Sequence, residues 1–137
     1  MTVADYLIDT SALARVLLRQ NTADWDDRIS AGLVAICDIT ELGILHSARS
    51  AADRTRLKAA LDAHYVWCPM PDGVYRRSRV VQEQLTVKGE HRIAGPVDLL
   101  VAAAAEEAGL TLLHCDHDFD TIARTTGRPV RTIDLRQ

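Results

Sequence analysis

The chain has 137 residues, 47% of them hydrophobic, which suits one packed domain rather than a disordered chain. Its formal net charge of −3 argues against a protein that coats nucleic acid, because non-specific phosphate binding needs clustered cations. No apolar run is long enough to cross a bilayer, and the start Met1-Thr2-Val3-Ala4-Asp5 has no basic region of the secretory kind, so a cytoplasmic protein is expected.

Tyr6-Leu7-Ile8 is a short apolar strand that ends in Asp9. Thr10 and Ser11 follow as junction residues, and Ala12 to Leu18 reads as a helix. A second helix is expected over Ala23 to Ala31, stopped by Gly32. Leu33 to Cys37 is the second buried strand. The helix after it starts near Asp38 to Thr40 and carries Leu42, Leu45, Ala48 and Arg49 at helical spacing. Ala51 to Ala63 continues as a helix with Leu57 and Leu61 on one face. Tyr65 to Cys68 is a third strand, closed by Pro69 and Pro71. Asp72 to Val87 is a longer, arginine-rich helix, and Lys88 to Gly95 is a polar loop closed by Pro96. Val97 to Gly109 is an alanine-rich buried helix, and Leu110 to Cys115 is the fourth strand. A short helix over Asp118 to Thr126 and a late strand over Val130 to Ile133 complete the chain.

Strands and helices alternate, and the strands are continuously apolar. That pattern predicts a mainly parallel sheet covered on both faces, a three-layer α/β/α sandwich spanning residues 1–137 as one domain. Cys37, Cys68 and Cys115 are odd in number and form no CxxC pair, so buried free thiols are expected.

Ligands of open parallel sheets bind outside the C-terminal ends of the strands. Asp9 ends the first strand, Glu41 lies just past the second, and Asp116 ends the fourth. Asp98 lies near the start of the helix before the fourth strand; it joins the others if that helix begins at the same edge. Singly, each acid also reads as a helix cap or as a partner of a helix dipole. Together they suggest more, since Asp98 interrupts the apolar run Val97-Asp98-Leu99-Leu100-Val101-Ala102 and Asp116 follows a buried strand directly. Crowded carboxylates repel one another, and a cation removes that penalty. Oxygen-only ligands suit Mg²⁺ or Mn²⁺. A zinc site from His114, Cys115 and His117 lacks a fourth ligand.

Taken in order, Leu7-Ile8-Asp9-Thr10-Ser11-Ala12-Leu13, Ile39-Thr40-Glu41-Leu42, the run from Pro96 to Ala105 and the run from Leu112 to Asp120 resemble the PIN-domain nucleases, in particular the VapC-type toxins of toxin–antitoxin pairs. No single segment is specific, but the ordered set spans nearly the whole chain. The resemblance implies a metal-dependent endoribonuclease with Asp9, Glu41, Asp98 and Asp116 as its acidic quartet. It implies Mg²⁺, with Mn²⁺ as substitute, one ion held chiefly by Asp9 and Asp98 and a second near Asp116 and Asp118, and a hydroxyl at Thr10 or Ser11 that orients a water or metal ligand. His114-Cys115 departs from the commoner Thr-x, a change expected to remove a secondary polar contact and to leave the carboxylate in place. A cognate antitoxin, a homodimer and a structured RNA such as tRNA are also implied. Candidates for RNA contact are Arg76, Arg77, Arg79, His91 and Arg92, and the aromatics available for stacking are Phe119, three Tyr and two Trp. The helices between Leu42 and Leu61 offer candidate docking faces.

Competing functions fit less well. A phosphoacceptor receiver needs a lysine at the last strand, where Arg128 to Thr132 has none. An Asp-x-Asp phosphatase fails at Ser11, and a dinucleotide module lacks its Gly-rich turn. A catalytically silent interaction module on the same fold and a nuclease acting on DNA are the alternatives.

Overall fold

The computed structural model describes residues 4–18 and 23–133, so the extreme N-terminal residues read above lie outside the described ones. The strands are β1 (Tyr6–Ile8), β2 (Val34–Ile36), β3 (Val66–Trp67), β4 (Thr111–His114) and β5 (Val130–Thr132). The helices are α1 (Thr10–Leu17), α2 (Ala23–Ser30), α3 (Asp38–His46), α4 (Ala51–His64), α5 (Val74–Val87), α6 (Pro96–Ala108) and α7 (Asp118–Thr126). All strand pairs are parallel, in the order β3-β2-β1-β4-β5.

Alternation along the central strands builds the three layers. Leu7, Ala35 and Leu112 point to one face, where they pack with Val74, Val81 and Leu85 of α5, Leu99 and Val101 of α6, and Phe119 and Ile122 of α7. Ile8, Val34, Ile36 and Leu113 point to the other, against Ala12 and Leu13 of α1, Trp25 and Ile29 of α2, Ile44 and Leu45 of α3, and Leu61 of α4. Full burial of one such side chain stabilises by about 1.5–3 kcal/mol.

Several boundaries shift by a residue or two, and two of the differences have a local reason. Helix α3 ends at His46 rather than near Arg49, because Ser50 caps α4: its hydroxyl accepts from Asp53 N–H at 3.1 Å, and Asp53 accepts from Arg49 N–H at 2.9 Å. These two bonds start a new helix at Ser50 and hold Arg49 to it rather than to the old one. Helix α5 starts at Val74, after a turn over Asp72 and Gly73. Cys37 and Cys68 are buried as expected, but Cys115 is only partly so, because β4 ends before it.

β1 sits mid-sheet, and the chain leaves it toward β2 on one side and β4 on the other. That reversal opens a crevice at the C-terminal ends of β1 and β4. Helix α6 runs against the strands, so its N-terminus, with Asp98, arrives at the same edge.

Candidate metal centre

Asp9 is the N-cap of α1 and is 5% exposed, so its carboxylate is held inside the crevice. Its Oδ1 accepts from Ala12 N–H at 3.0 Å. Ser11 Oγ lies 2.8 and 2.9 Å from the two carboxylate oxygens and donates to them. The same Ser11 oxygen accepts from Cys115 N–H at 3.0 Å, which ties the end of β1 to the end of β4. Of the two junction residues, Ser11 therefore reaches the acid. Thr10 faces α3 instead, so tightly that a Cβ on Gly43 would lie 2.6 Å from its Oγ1.

Asp98, Asp116 and Asp118 form the tight group, each offering a carboxylate oxygen within 4.8 Å of the others. Asp98 is in the first turn of α6 and accepts a long hydrogen bond, 3.4 Å, from Gly95 N–H. Asp116 Oδ1 accepts from Asp118 N–H at 2.9 Å, a turn that starts α7 and fixes both acids. Helix N-termini at Asp98 and Asp118 favour negative charge there.

The electrostatics are those of a centre short of positive charge. Burial raises the pKa of Asp98, and Asp116, Asp118 and Asp9 push it further, against the Gly95 N–H. Burial and then Asp116 raise Asp118. Burial also raises Asp9, although the Ala12 N–H and Ser11 oppose the shift. A divalent cation would relieve this repulsion, and oxygen-only donors fit Mg²⁺ or Mn²⁺. Among the described residues, His114, Cys115 and His117 form no metal-ligating group of three.

Glu41 stands in the first turn of α3, at the end of β2. Its helix is pinned on both sides of it: buried Thr40 donates its hydroxyl to Ile8 C=O at 3.0 Å, and Gly43 admits Thr10. The Glu41 carboxylate is held by Lys58 of α4, Nζ to Oε1 2.6 Å, and Lys58 also reaches Asp62 at 2.9 Å. Those two hydrogen bonds, Asp62 first, hold the Lys58 ammonium above its ordinary pKa. Sequence reasoning missed Lys58 as part of this edge; the available signal was one of two lysines with an acid four residues on.

Contrary to the expected loss, His114 supplies a polar contact at the position where Thr is commoner. It is 1% exposed, and its Nδ1 accepts from Asp116 N–H at 3.2 Å. That leaves the proton on Nε2, which has no hydrogen-bond partner and lies 3.6 Å from Asp120.

The candidate RNA contacts separate. Arg76, Arg79, His91 and Arg92 are exposed, whereas Arg77 is bonded through Nε to Glu106 Oε2 at 2.8 Å. Arg128 holds the other Glu106 oxygen at 2.9 Å. Phe119 and Trp25 are 1% and 4% exposed, so burial in the core removes both from stacking on bases. Tyr75 and Trp67 remain outward, 66% and 45% exposed. Of the candidate docking leucines, Leu45 and Leu61 are core, and Leu42 faces out.

A parallel sheet with carboxylates gathered at the crevice beside its middle strand defines the class: the chain belongs to the PIN-domain family, whose model matches residues 6–125. Within it, the chain is similar to proteins named Ribonuclease VapC. It is 38% identical to Ribonuclease VapC21 of Mycobacterium tuberculosis over 128 residues, 93% of each chain. It is 39% identical to Ribonuclease VapC2 of the same species over 138 residues, 99% of this chain and 97% of that one. Among solved structures, DNA-bound VapBC from Salmonella typhimurium superposes with a TM-score of 0.76 at 16% identity, covering 96% of this chain and 99% of that one. VapBC-1 from nontypeable Haemophilus influenzae gives 0.72 at 17% identity, covering 96% and 98%. Among the described residues, no helix is long and apolar enough to cross a membrane.

Proposed function

We propose that this chain, as a single PIN-like domain over residues 1–137, is a Mg²⁺-dependent endoribonuclease and the toxin of a toxin–antitoxin pair. The observation that carries the reading is the group Asp98, Asp116 and Asp118, with oxygens within 4.8 Å of one another and charge left over. The relatives named as ribonucleases support RNA as the substrate, and the resemblance noted in the sequence suggests a structured RNA such as tRNA. Solved VapBC assemblies support a cognate antitoxin partner. A homodimer in the cytoplasm completes the proposal.

Asp98, Asp116 and Asp118 would hold the metal, with Asp9 beside them. Mg²⁺ in that place, or Mn²⁺ as its substitute, would supply Lewis-acid polarisation of the scissile phosphate and easier deprotonation of water. Glu41 takes the proton of the attacking water, a task that needs it within hydrogen-bond reach. Ser11 and the Ala12 N–H keep the Asp9 carboxylate turned into the crevice. His114 and the Asp118 N–H set the Asp116 turn in the same way. Arg76, Arg79, His91 and Arg92 offer exposed cations to the phosphate backbone.

Because water attacks rather than the 2′-hydroxyl, the products carry 5′-phosphate and 3′-hydroxyl ends. The test is cleavage of total cellular RNA by wild type and Asp98→Asn, each with Mg²⁺, Mn²⁺ or EDTA. Cyclic 2′,3′-phosphate ends, or cleavage that persists in EDTA, would sink the mechanism. A DNA substrate run beside the RNA decides which sugar is accepted.

A further inference from the structure

Glu41 is the quartet acid whose carboxylate already carries a lysine. Lys58 Nζ lies 2.6 Å from Glu41 Oε1 and 2.9 Å from Asp62 Oδ1. The Glu41 side chain is 17% exposed and that of Lys58 41%, so the pair is partly screened from water, at the strand-end edge where α3 begins. Lys58 and Asp62 are four residues apart on α4 and share a face, while Glu41 comes from α3. The backbone under Glu41 is fixed by the Thr40 hydroxyl bond to Ile8 and by the Gly43–Thr10 approach. What freedom remains is in the side chain, and Lys58 removes it.

We propose that Lys58 is a positioning residue for Glu41, acting within the nuclease reading given above and resting on it. Its ammonium holds the Glu41 carboxylate at that edge and balances its charge, so that Glu41 serves the attacking water instead of joining Asp98, Asp116 and Asp118 around the metal. A divalent ion draws every carboxylate within reach, and a carboxylate whose lone pairs are given to a metal is a poorer proton acceptor. Lys58 bonds Oε1 of Glu41, which opposes that draw and leaves Oε2 for the water. Lys58 is badly suited to the other obvious task, gripping an RNA phosphate. It already faces two carboxylates, so the trio is net negative, and a phosphate would have to displace one of them.

The test uses the full chain in four forms besides wild type: Lys58→Met, Lys58→Arg, Glu41→Gln, and Lys58→Met with Glu41→Gln. RNA cleavage in Mg²⁺ is read as kcat and KM separately, and Mn²⁺ binding to the RNA-free protein is read by calorimetry. Loss of an outer partner of this kind is expected to lower kcat by about 10- to 100-fold. KM should stay within roughly twofold, the signature of a group that acts in the chemical step. Lys58→Arg, which keeps the charge, should recover most of the rate. Mn²⁺ should bind Lys58→Met as tightly as wild type or more tightly, since a positive charge has left the edge. The double variant should be no slower than Glu41→Gln alone, because the two residues act as one unit.

Four results would overturn the proposal. A raised KM with kcat preserved would make Lys58 an RNA contact. Independent, multiplicative losses in the double variant would separate it from Glu41. Weakened Mn²⁺ binding would place it in support of the metal. Wild-type kinetics in Lys58→Met would leave it an ordinary tie between α3 and α4. A wild type that cleaves no RNA sinks the nuclease reading and this inference with it, whereas an active wild type with an unaffected Lys58→Met sinks only the role of Lys58.

Discussion

The two ends of α6 treat their acids in opposite ways. At the N-terminus Asp98 holds its proton more tightly because of burial first and then the crowding of Asp116, Asp118 and Asp9, all of one sign. Toward the C-terminus Glu106, 10% exposed, lies between Arg77 at 2.8 Å and Arg128 at 2.9 Å. Both acids sit on one helix behind the same sheet. One is satisfied by the chain itself, and the other is left for a ligand. The lesson is that repulsion tolerated at one end, and cancelled at the other, separates a binding site from a structural ion pair.

Breaking this contrast at Asp98 should have the largest effect. Asp98→Asn is expected to lower RNA cleavage by about 100-fold or more, since on the proposed reading it removes a metal ligand rather than an outer partner. Without metal it should raise the melting temperature by roughly 2–4 °C, because a repelled charge has gone. A variant both less active and less stable would mean that Asp98 is a structural cap. At the other end, Glu106→Gln leaves Arg77 partly buried without its carboxylate and should cost about 1–3 kcal/mol of stability. Its cleavage rate, measured well below the melting transition, should match wild type.

The pH dependence sharpens the comparison. Asp9, Asp98 and Asp118 have folded pKa values raised above the unfolded ones, so between those values the folded chain holds more protons. Their penalty is therefore absent below about pH 3.9, the ordinary Asp value, and complete once the pH exceeds the raised values. Metal-free stability should fall as pH rises through that window, and Asp98→Asn should flatten the fall. Mg²⁺ or Mn²⁺ added at neutral pH should raise the melting temperature by several degrees, as a ligand of the folded state does. Thermal melts with and without metal at several pH values check both. The smallest effect belongs to the rim. Arg76→Ala should raise KM about two- to threefold, more at low salt than at high, and leave kcat alone.

Much of the scaffold was legible because its signals are local. Apolar runs ending in Asp9 and Asp116 marked strand ends, and parallel order put those ends on one edge. The place of Asp98 depended on which way α6 runs, and that follows from a helix leading back into β4. Ranking within the acids was harder. Asp118 stood below the quartet in the sequence, yet it belongs to the tight group with Asp98 and Asp116, since the Asp116 turn folds it back. Lys58 was invisible as a partner because it lies 17 residues from Glu41 on another helix, and the pair exists only through the crossing of α3 and α4. Arg77 looked like its neighbours Arg76 and Arg79 until the α5–α6 packing turned it onto Glu106. Phe119 could have been read as core from its spacing with Ile122 along α7.

The hydrogen bond from Cys115 N–H to Ser11 spans 104 positions of the chain. On a ribosome adding about 5–20 residues per second, Asp9 and Glu41 leave the exit tunnel well before Asp116 and Asp118 exist. A growing chain thus carries half of a nuclease past the RNA of the very machine that makes it. The acidic edge closes only when β4 pairs with β1, so the order of residues along the chain itself delays the site until residues 111–114 have been made.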